Sequence, residues 1–465
     1  MTLYLLQFLA VSAVLIAVLA LCAGLLWQYP IAIALVAVAT PIGLHCLQLG
    51  NDGIDVGVNV YIDDVACLVL LCAAAVVVVR KQRLPDSSSW PVFTLFALAA
   101  INLARGAAEF GLKPAGNGAR NLIYLIVPSL ALILLRPALR VYPQRLANLL
   151  AGFGCALTVL AVCRWTGALR MPAVADDFRE VSRAIPAEYA IVIGQSLLAV
   201  VYLQITRGVR WRGICLAGIL ATTTFAVQHR SVWISTCVGL IWLSARTLRL
   251  SQKFWFQLAG ATFVGLTVIS IAGGSETIDR AVSLARTNFD ETQQQDSTWN
   301  WRVKGFAEAA ERVASSDTFE LLLGPPSGRD LGSSASFASV HIHNRYLGTL
   351  AYYGLFGAIV LIIWLSAVAR KVGGWVWPRP GEDREMRVGT VFLQALLLSQ
   401  LAYFLAYSGG IMQSGITALI WLAAGSRPVP VYKVVFSAAG NRRHPYLTGP
   451  NRDRNHCHSS YLLQP

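Results

Sequence analysis

The chain has 465 residues, of which 55% are hydrophobic and only 13% charged. A soluble globular domain carries about 25% charged residues, so this composition, with a mean hydropathy of +0.56, excludes a soluble enzyme, a disordered chain and a disulfide scaffold. The formal charge of +14 comes from 38 Lys and Arg against 24 Asp and Glu. Those charges are scattered between apolar runs rather than gathered in one patch, which argues against a nucleic-acid partner and makes the excess a topology signal.

The apolar residues come in blocks of about twenty, the length a helix needs to cross a bilayer. Spans are predicted near 3–27, 30–49, 58–79, 89–106, 119–135, 144–163, 188–205, 213–229, 231–246, 255–272, 346–369, 388–406 and 411–425. The expected fold is therefore all-α, a polytopic membrane helix bundle of about 12–14 transmembrane helices, since boundaries read from sequence are soft. The first span has no basic flank before it and no small-residue cleavage site after it, so a removable signal peptide is the weaker reading. No tandem repeat of 20–50 residues is visible, which argues against a solenoid.

The polar breaks sort by charge. Those at 80–83, 136–145, 207–212, 246–253 and 370–387, together with the tail from Arg427, hold 23 basic residues and only five acidic ones, Asp86, Glu382, Asp383, Glu385 and Asp453. The alternate breaks hold the other 15 basic and 19 acidic residues. One face thus carries +18 and the other −4, and the positive-inside rule makes the first cytoplasmic. Parity puts the N-terminus outside, or inside if the first two spans are one. Residues 1–272 read as N-terminal spans, 273–345 as a large outer loop, 346–425 as C-terminal spans and 426–465 as a basic tail suited to anionic membrane lipids.

Eight of the nine cysteines lie in or at the edge of spans, without a C-x-x-C pair, so they read as small apolar fillers rather than a disulfide framework or zinc site.

Within the outer loop, Trp299, Val303, Phe306, Ala310 and Val313 recur at helical spacing after a candidate cap at Asp296 or Ser297, predicting an amphipathic helix. Arg302 sits beside that stripe; it either points to the bilayer surface or is an ordinary flanking arginine. A run from Leu321 ends in a tight turn at Gly324-Pro-Pro-Ser-Gly328. Val340-His341-Ile-His343-Asn344-Arg345 then leads into the next span. His341 and His343 alternate but lack a third ligand, so a metal pair is the weaker reading. A histidine there is either an interfacial anchor or a general base for a sugar hydroxyl. Arg230 stands between two spans with almost no polar break, a costly position that makes it a functional candidate. Arginines at one face suit a diphosphate, which they grip with paired donors while staying charged.

These residues resemble a known family. His343-Asn344, nine residues, then Gly354-Leu-Phe-Gly357 follows the H-[N/S/Q]-x9-G-x-x-[G/T/Y] pattern of the O-antigen ligases. The order of Arg230, the arginine-bearing loop helix and the His-Asn motif is also similar, over roughly 215–370. Related polysaccharide polymerases and protein O-oligosaccharyltransferases share much of this region. The resemblance implies a GT-C-like helical bundle in a bacterial inner membrane. It also implies glycosyl transfer at the periplasmic face from an undecaprenyl-diphosphate-linked glycan, without a cofactor. A ligase passes the glycan to the lipid A core; a polymerase, the alternative, passes it to a second lipid-linked glycan. Carried over, Arg230 and Arg302 hold the donor diphosphate, while His343 accepts the hydroxyl proton or positions the acceptor. Asn344 and the glycines shape the turn, with glycine spacing for close helix approach. Arg280, followed by Leu284, is the fallback for Arg302. Arg345, Arg105 and Arg120 count as substrate-binding candidates, the last two flanking the fourth and fifth spans with Glu109. Asp63-Asp64 and Asp176-Asp177 are the acidic pairs that could hold a metal; none is assigned. A transporter or flippase is the competing class, but it typically carries internal repeats and a midplane site; a non-catalytic assembly subunit of an exopolysaccharide system is a third reading.

Overall fold

A computed structural model describes residues 21–47, 53–55, 59–82, 87–139, 141–169, 184–227, 229–247, 254–260, 298–329, 344–373, 384–407 and 409–425, with single residues at 252, 263 and 267. The described chain is nearly all helical. After a helical stretch at Leu21–Gln28 come α1 (Pro30–Leu47), a two-residue hairpin pairing β1 (Ile54–Asp55) with β2 (Asn59–Val60), α2 (Ile62–Lys81), α3 (Trp90–Phe110), α4 (Leu112–Leu135), α5 (Pro143–Trp165) and α6 (Ala187–Arg207). Then follow α7 (Trp211–Ala226), α8 (Arg230–Thr247), α9 (Thr298–Ser315), α10 (Thr318–Leu323), α11 (Arg345–Lys371), α12 (Arg384–Ala406) and α13 (Ile411–Ala424).

Among the described residues, six helices are long and apolar enough to cross a membrane, or up to eight if two bent pairs each count as one span, consistent with a multi-pass membrane protein. One pair is Leu21–Gln28 with Pro30–His45, bent by 108°; the other is Leu112–Arg120 with Ile123–Leu135, bent by 66°. The expected straight span at 119–135 is thus the second arm of a longer, bent helix. The predicted spans at 213–229 and 231–246 correspond to α7, of 16 residues, and α8, of 18 residues with an arginine near each end. Neither passes the same test of length and apolarity. The spans expected at 3–27 and 255–272 lie largely outside the described residues.

The core is built around α6, which is 89% buried and packs against α5, α7, α8 and α12. α12 is also largely buried, whereas α2, α3 and α5 are buried on one side. Outward positions remain apolar, with Leu68, Val159, Ile234 and Ile362 exposed. A helix that is hydrophobic all round suits lipid rather than water. Inside, polar side chains tie helices together: Gln195 donates to Gln400 at 2.9 Å, and the Ser129 and Ser414 hydroxyls meet at 2.7 Å. Without a strong hydrophobic drive between helices, such bonds and close small-residue contacts hold a membrane bundle together.

Side-chain contacts also sort the helix termini into two layers. At one end, Arg136 and Lys371 both stack on Trp421, at 5.2 and 3.3 Å, and Gln144 donates to Glu385. This end collects the termini bearing Arg136, Arg145, Arg370 and Lys371. At the opposite end, His45 meets Asp63, Asp64 meets Arg120, His229 meets Ile185 and Asn344 meets Leu405. Among the described residues, these basic termini and the termini bearing Asp63, Asp64 and Glu188 therefore lie at different ends of one bundle.

Candidate functional site

The motif helix α11 begins at the acidic end. Asn344 caps it: its side-chain oxygen accepts from the backbone N–H of Tyr346 at 2.9 Å and Leu347 at 3.0 Å. Two of the N–H groups left open by the first turn are thereby satisfied. Its amide nitrogen donates to Leu405 at 3.0 Å, fastening the corner to the end of α12. Arg345 follows and is 7% exposed. One Nη donates to the Leu125 carbonyl at 3.2 Å, and the guanidinium lies 4.4 Å from the centre of the Phe404 ring. Its Nε and other Nη are buried without a hydrogen-bond partner. Arg345 is thus inside the wall of the corner, touching α4 and α12.

The motif glycines have separate reasons. Gly354 breaks α11, at φ 65° and ψ −169°, a region essentially closed to residues with a Cβ. A Cβ there would also sit 2.5 Å from the Leu322 backbone. What approaches Gly354 is the C-terminal end of the short helix α10, at Leu322, together with Gly324 of the turn that follows it. At Gly357 a Cβ would meet the Tyr353 Cβ at 2.1 Å.

That turn is the Gly-Pro-Pro-Ser-Gly sequence, and it docks on α3 and α4. Asn102, 1% exposed, donates to the carbonyls of Leu323 at 2.8 Å and Tyr352 at 3.2 Å. Its own carbonyl accepts from Ser327 N–H at 3.0 Å. Arg105 donates to the Asn102 side chain at 2.9 Å and the Gly324 carbonyl at 2.8 Å, with its guanidinium 4.7 Å from the Phe319 ring centre. A Cβ on Gly106 would lie 1.9 Å from Ser327 O, and one on Gly118 2.4 Å from Gly328 N. Two backbones can meet this closely only without side chains between them. Arg105 thus grips the loop turn, and Asn102 joins that turn to the break in the motif helix.

Arg120 is clasped by α2. Its Nε donates to both Asp64 oxygens at 3.2 Å, an Nη donates to Asn59 O, and the guanidinium stacks 4.2 Å from the Tyr61 ring. Tyr124 donates to Asp64 at 2.8 Å, and Tyr61 N–H donates to it at 2.9 Å. Beside this cluster, His45 Nε2 and Asp63 Oδ2 are 2.8 Å apart. Glu188, in the first turn of α6, has its carboxylate within electrostatic reach of both.

Arg230 is half-buried at the start of α8, on the same layer. Arg302 lies on α9, which packs against α11; its side chain is outside the described residues. The apolar side of α9 centres on Ala309 rather than Ala310, with Phe306 half-buried. His343, His341, Arg280, Asp176 and Asp177 also lie outside the described residues. Among the described residues, no group of three or more His, Cys, Asp or Glu side chains comes together to hold a metal ion. The sequence reading overlooked Asn102, His45 and Glu188. Each is a polar residue inside or bordering an apolar run, and that was the available signal.

Neither a family model nor a curated protein matches this chain.

Proposed function

We propose that the chain is a bacterial inner-membrane glycosyltransferase of the O-antigen ligase kind. It moves a glycan from undecaprenyl diphosphate to the lipid A core at the periplasmic face, in a GT-C-like bundle of about 12–14 spans. The observation that carries this reading is that the Asn344–Arg345 corner, which opens the motif helix, and the start of α8 at Arg230 lie at the same end of the bundle. That is the end with the acidic charge balance, the periplasmic one by the positive-inside rule. Glycosyl transfer from a lipid diphosphate needs charge stabilisation of the leaving group and a proton acceptor for the attacking hydroxyl. Arg230 and Arg302 supply the first through bidentate contacts to phosphate oxygens. His343, next to the capped Asn344, accepts the proton or positions the acceptor.

The test uses His343→Ala and Arg302→Ala. Both variants accumulate in the membrane but lose glycan transfer; full transfer in both sinks the catalytic assignment. A deletion strain identifies the acceptor. Lipid-linked polymer that accumulates without reaching the core marks a ligase, whereas single repeat units on the core mark a polymerase joining lipid-linked glycans.

A further inference from the structure

The acidic end of the bundle holds three carboxylates from two helices, and they are used differently. Asp64 is fully engaged by Arg120, Tyr124 and the Tyr61 N–H. This is what a structural aspartate in an apolar bundle looks like, since a buried charge is tolerated only when paired and hydrogen-bonded. Asp63 has one partner, His45, and the Glu188 carboxylate has no hydrogen-bond partner among the described residues. Among those residues neither forms an ion pair with arginine or lysine. Gly410 packs beside Glu188, where even a Cβ would come within 3.1 Å of Oε2.

The exposures of the pair are unequal. The Asp63 side chain is 10% exposed and the His45 side chain 27%. The carboxylate is therefore seated behind the imidazole, and with Nε2 turned to Asp63 the other ring nitrogen, Nδ1, is left for a ligand. A carboxylate that orients one imidazole nitrogen while the second stays open is the arrangement of a general base. Replacing a buried polar pair by packed apolar side chains is often neutral or stabilising, so joining α1 to α2 is by itself little reason to bury an aspartate in an apolar bundle.

Connectivity brings this pair to the motif corner. Tyr124, bonded to Asp64, precedes Leu125, whose carbonyl accepts from Arg345 and from Ser414. Gln413 donates to the Glu188 backbone carbonyl and its side-chain oxygen accepts from Gly410 N–H. The Glu188 carboxylate in turn lies within electrostatic reach of His45 and Asp63, without a hydrogen bond to either. Helices α1, α2, α4, α6, α11 and α13 thus contribute to one ring of polar contacts. Its α11 side carries Arg345 beside the motif, and its far side carries hydrogen-bond acceptors.

We propose that His45, Asp63 and Glu188 form the acceptor-hydroxyl subsite, with His45 as the group that takes the proton. This rests on the glycosyl-transfer reading above. Carboxylates and a neutral imidazole accept hydrogen bonds, so they recognise sugar hydroxyls, whereas the arginines suit the diphosphate. In the transfer step the acceptor oxygen attacks the anomeric carbon while its proton moves to His45 Nδ1. The new glycosidic C–O bond forms as the bond from that carbon to the phosphate oxygen breaks, and its electron pair leaves with the diphosphate. Asp63 stabilises the imidazolium, Glu188 orients a neighbouring hydroxyl, and His343 is left to position the acceptor.

Two measurements on the full-length protein in lipid nanodiscs test this. The first needs no substrate: acylation of His45 by diethyl pyrocarbonate at pH 8, read by mass spectrometry. His45 labels in the folded protein, and Asp63→Asn slows the labelling because the carboxylate no longer supports the ring. Absent labelling, or a rate unchanged in D63N, overturns the dyad. The second is transfer from an undecaprenyl-diphosphate-linked disaccharide to lipid A core. Here D63N and His45→Gln lower kcat by roughly 10²-fold or more, with the donor KM held and the thermal midpoint near that of the parent. Wild-type rates in both variants overturn the subsite. If D63N fails to accumulate, H45Q and Glu188→Gln carry the test from other helices. If the unmodified protein transfers nothing, the glycosyl-transfer reading fails and the labelling alone judges the pair.

Discussion

Gly354→Ala is the most informative single substitution for the architecture of the motif. In the structure Gly354 adopts φ 65° and ψ −169°, and a Cβ would come within 2.5 Å of the Leu322 backbone and 2.6 Å of Gly324 N. Backbone in that region costs a residue with a Cβ of order 1–3 kcal/mol. The contact is with backbone rather than a flexible side chain, so the turn must shift, adding about 1–3 kcal/mol of overpacking. The expected loss is therefore roughly 2–6 kcal/mol. Thermal unfolding of the purified protein in detergent measures it, with Gly152→Ala as the control. Gly152 is an exposed position within α5 with nothing within 4 Å of a Cβ, so alanine there is neutral or stabilises by about 0.5–1 kcal/mol. A G354A midpoint equal to that of the parent would refute the argument, because the break would then not depend on glycine.

Asn102→Ala removes the donor to two buried carbonyls, Leu323 and Tyr352, and is expected to destabilise by about 1–3 kcal/mol for each one left unpaired; the same unfolding assay checks it, and proteolysis between 317 and 329 should quicken. Arg345→Met keeps the contact with Phe404 while discharging a guanidinium that makes one hydrogen bond. Stability should hold or rise, since well-packed apolar replacements of buried charges are often neutral or better, and a lower midpoint would show that the charge supports the fold. For Arg120 and Asp64, a double-mutant cycle with Arg120→Gln and Asp64→Asn should give a coupling of about 0.5–3 kcal/mol; additive effects would mean that the clasp is not energetically joined.

Much of the fold was legible along the chain because lipid imposes a simple rule: every backbone group must be paired within the span, so long apolar runs become helices. The small-residue turn at Gly324–Pro326 and the cap at Asn344 were also local signals. Where the reading went astray, the cause was tertiary. The arm Ile123–Leu135 matches the span expected at 119–135, but the bent arm Leu112–Arg120 before it was not read from the sequence. The glycines of the motif look like a signature for packing between long spans, yet Gly354 meets Leu322 and Gly324, at the end of the short loop helix α10. Arg105 and Arg120 read as substrate-binding candidates; what the sequence could not give is that their guanidinium groups contact Asn102, Gly324 and Asp64.

The sequence by itself determined that the chain is an apolar helical bundle and that its charge divides between two sets of breaks. That division is local, since each break carries its own residues and the rule for crossing a bilayer needs no partner. It could not determine that His45 meets Asp63 with Glu188 in electrostatic reach, because they come from α1, α2 and α6 and are up to 143 positions apart. Nor could it tell that Asn102 joins the loop turn to the break at Gly354. Those meetings depend on which helix faces pack together, and only the tertiary structure decides that. The physical reason is that apolar faces are nearly interchangeable in lipid, while a buried polar group finds few geometries that satisfy it.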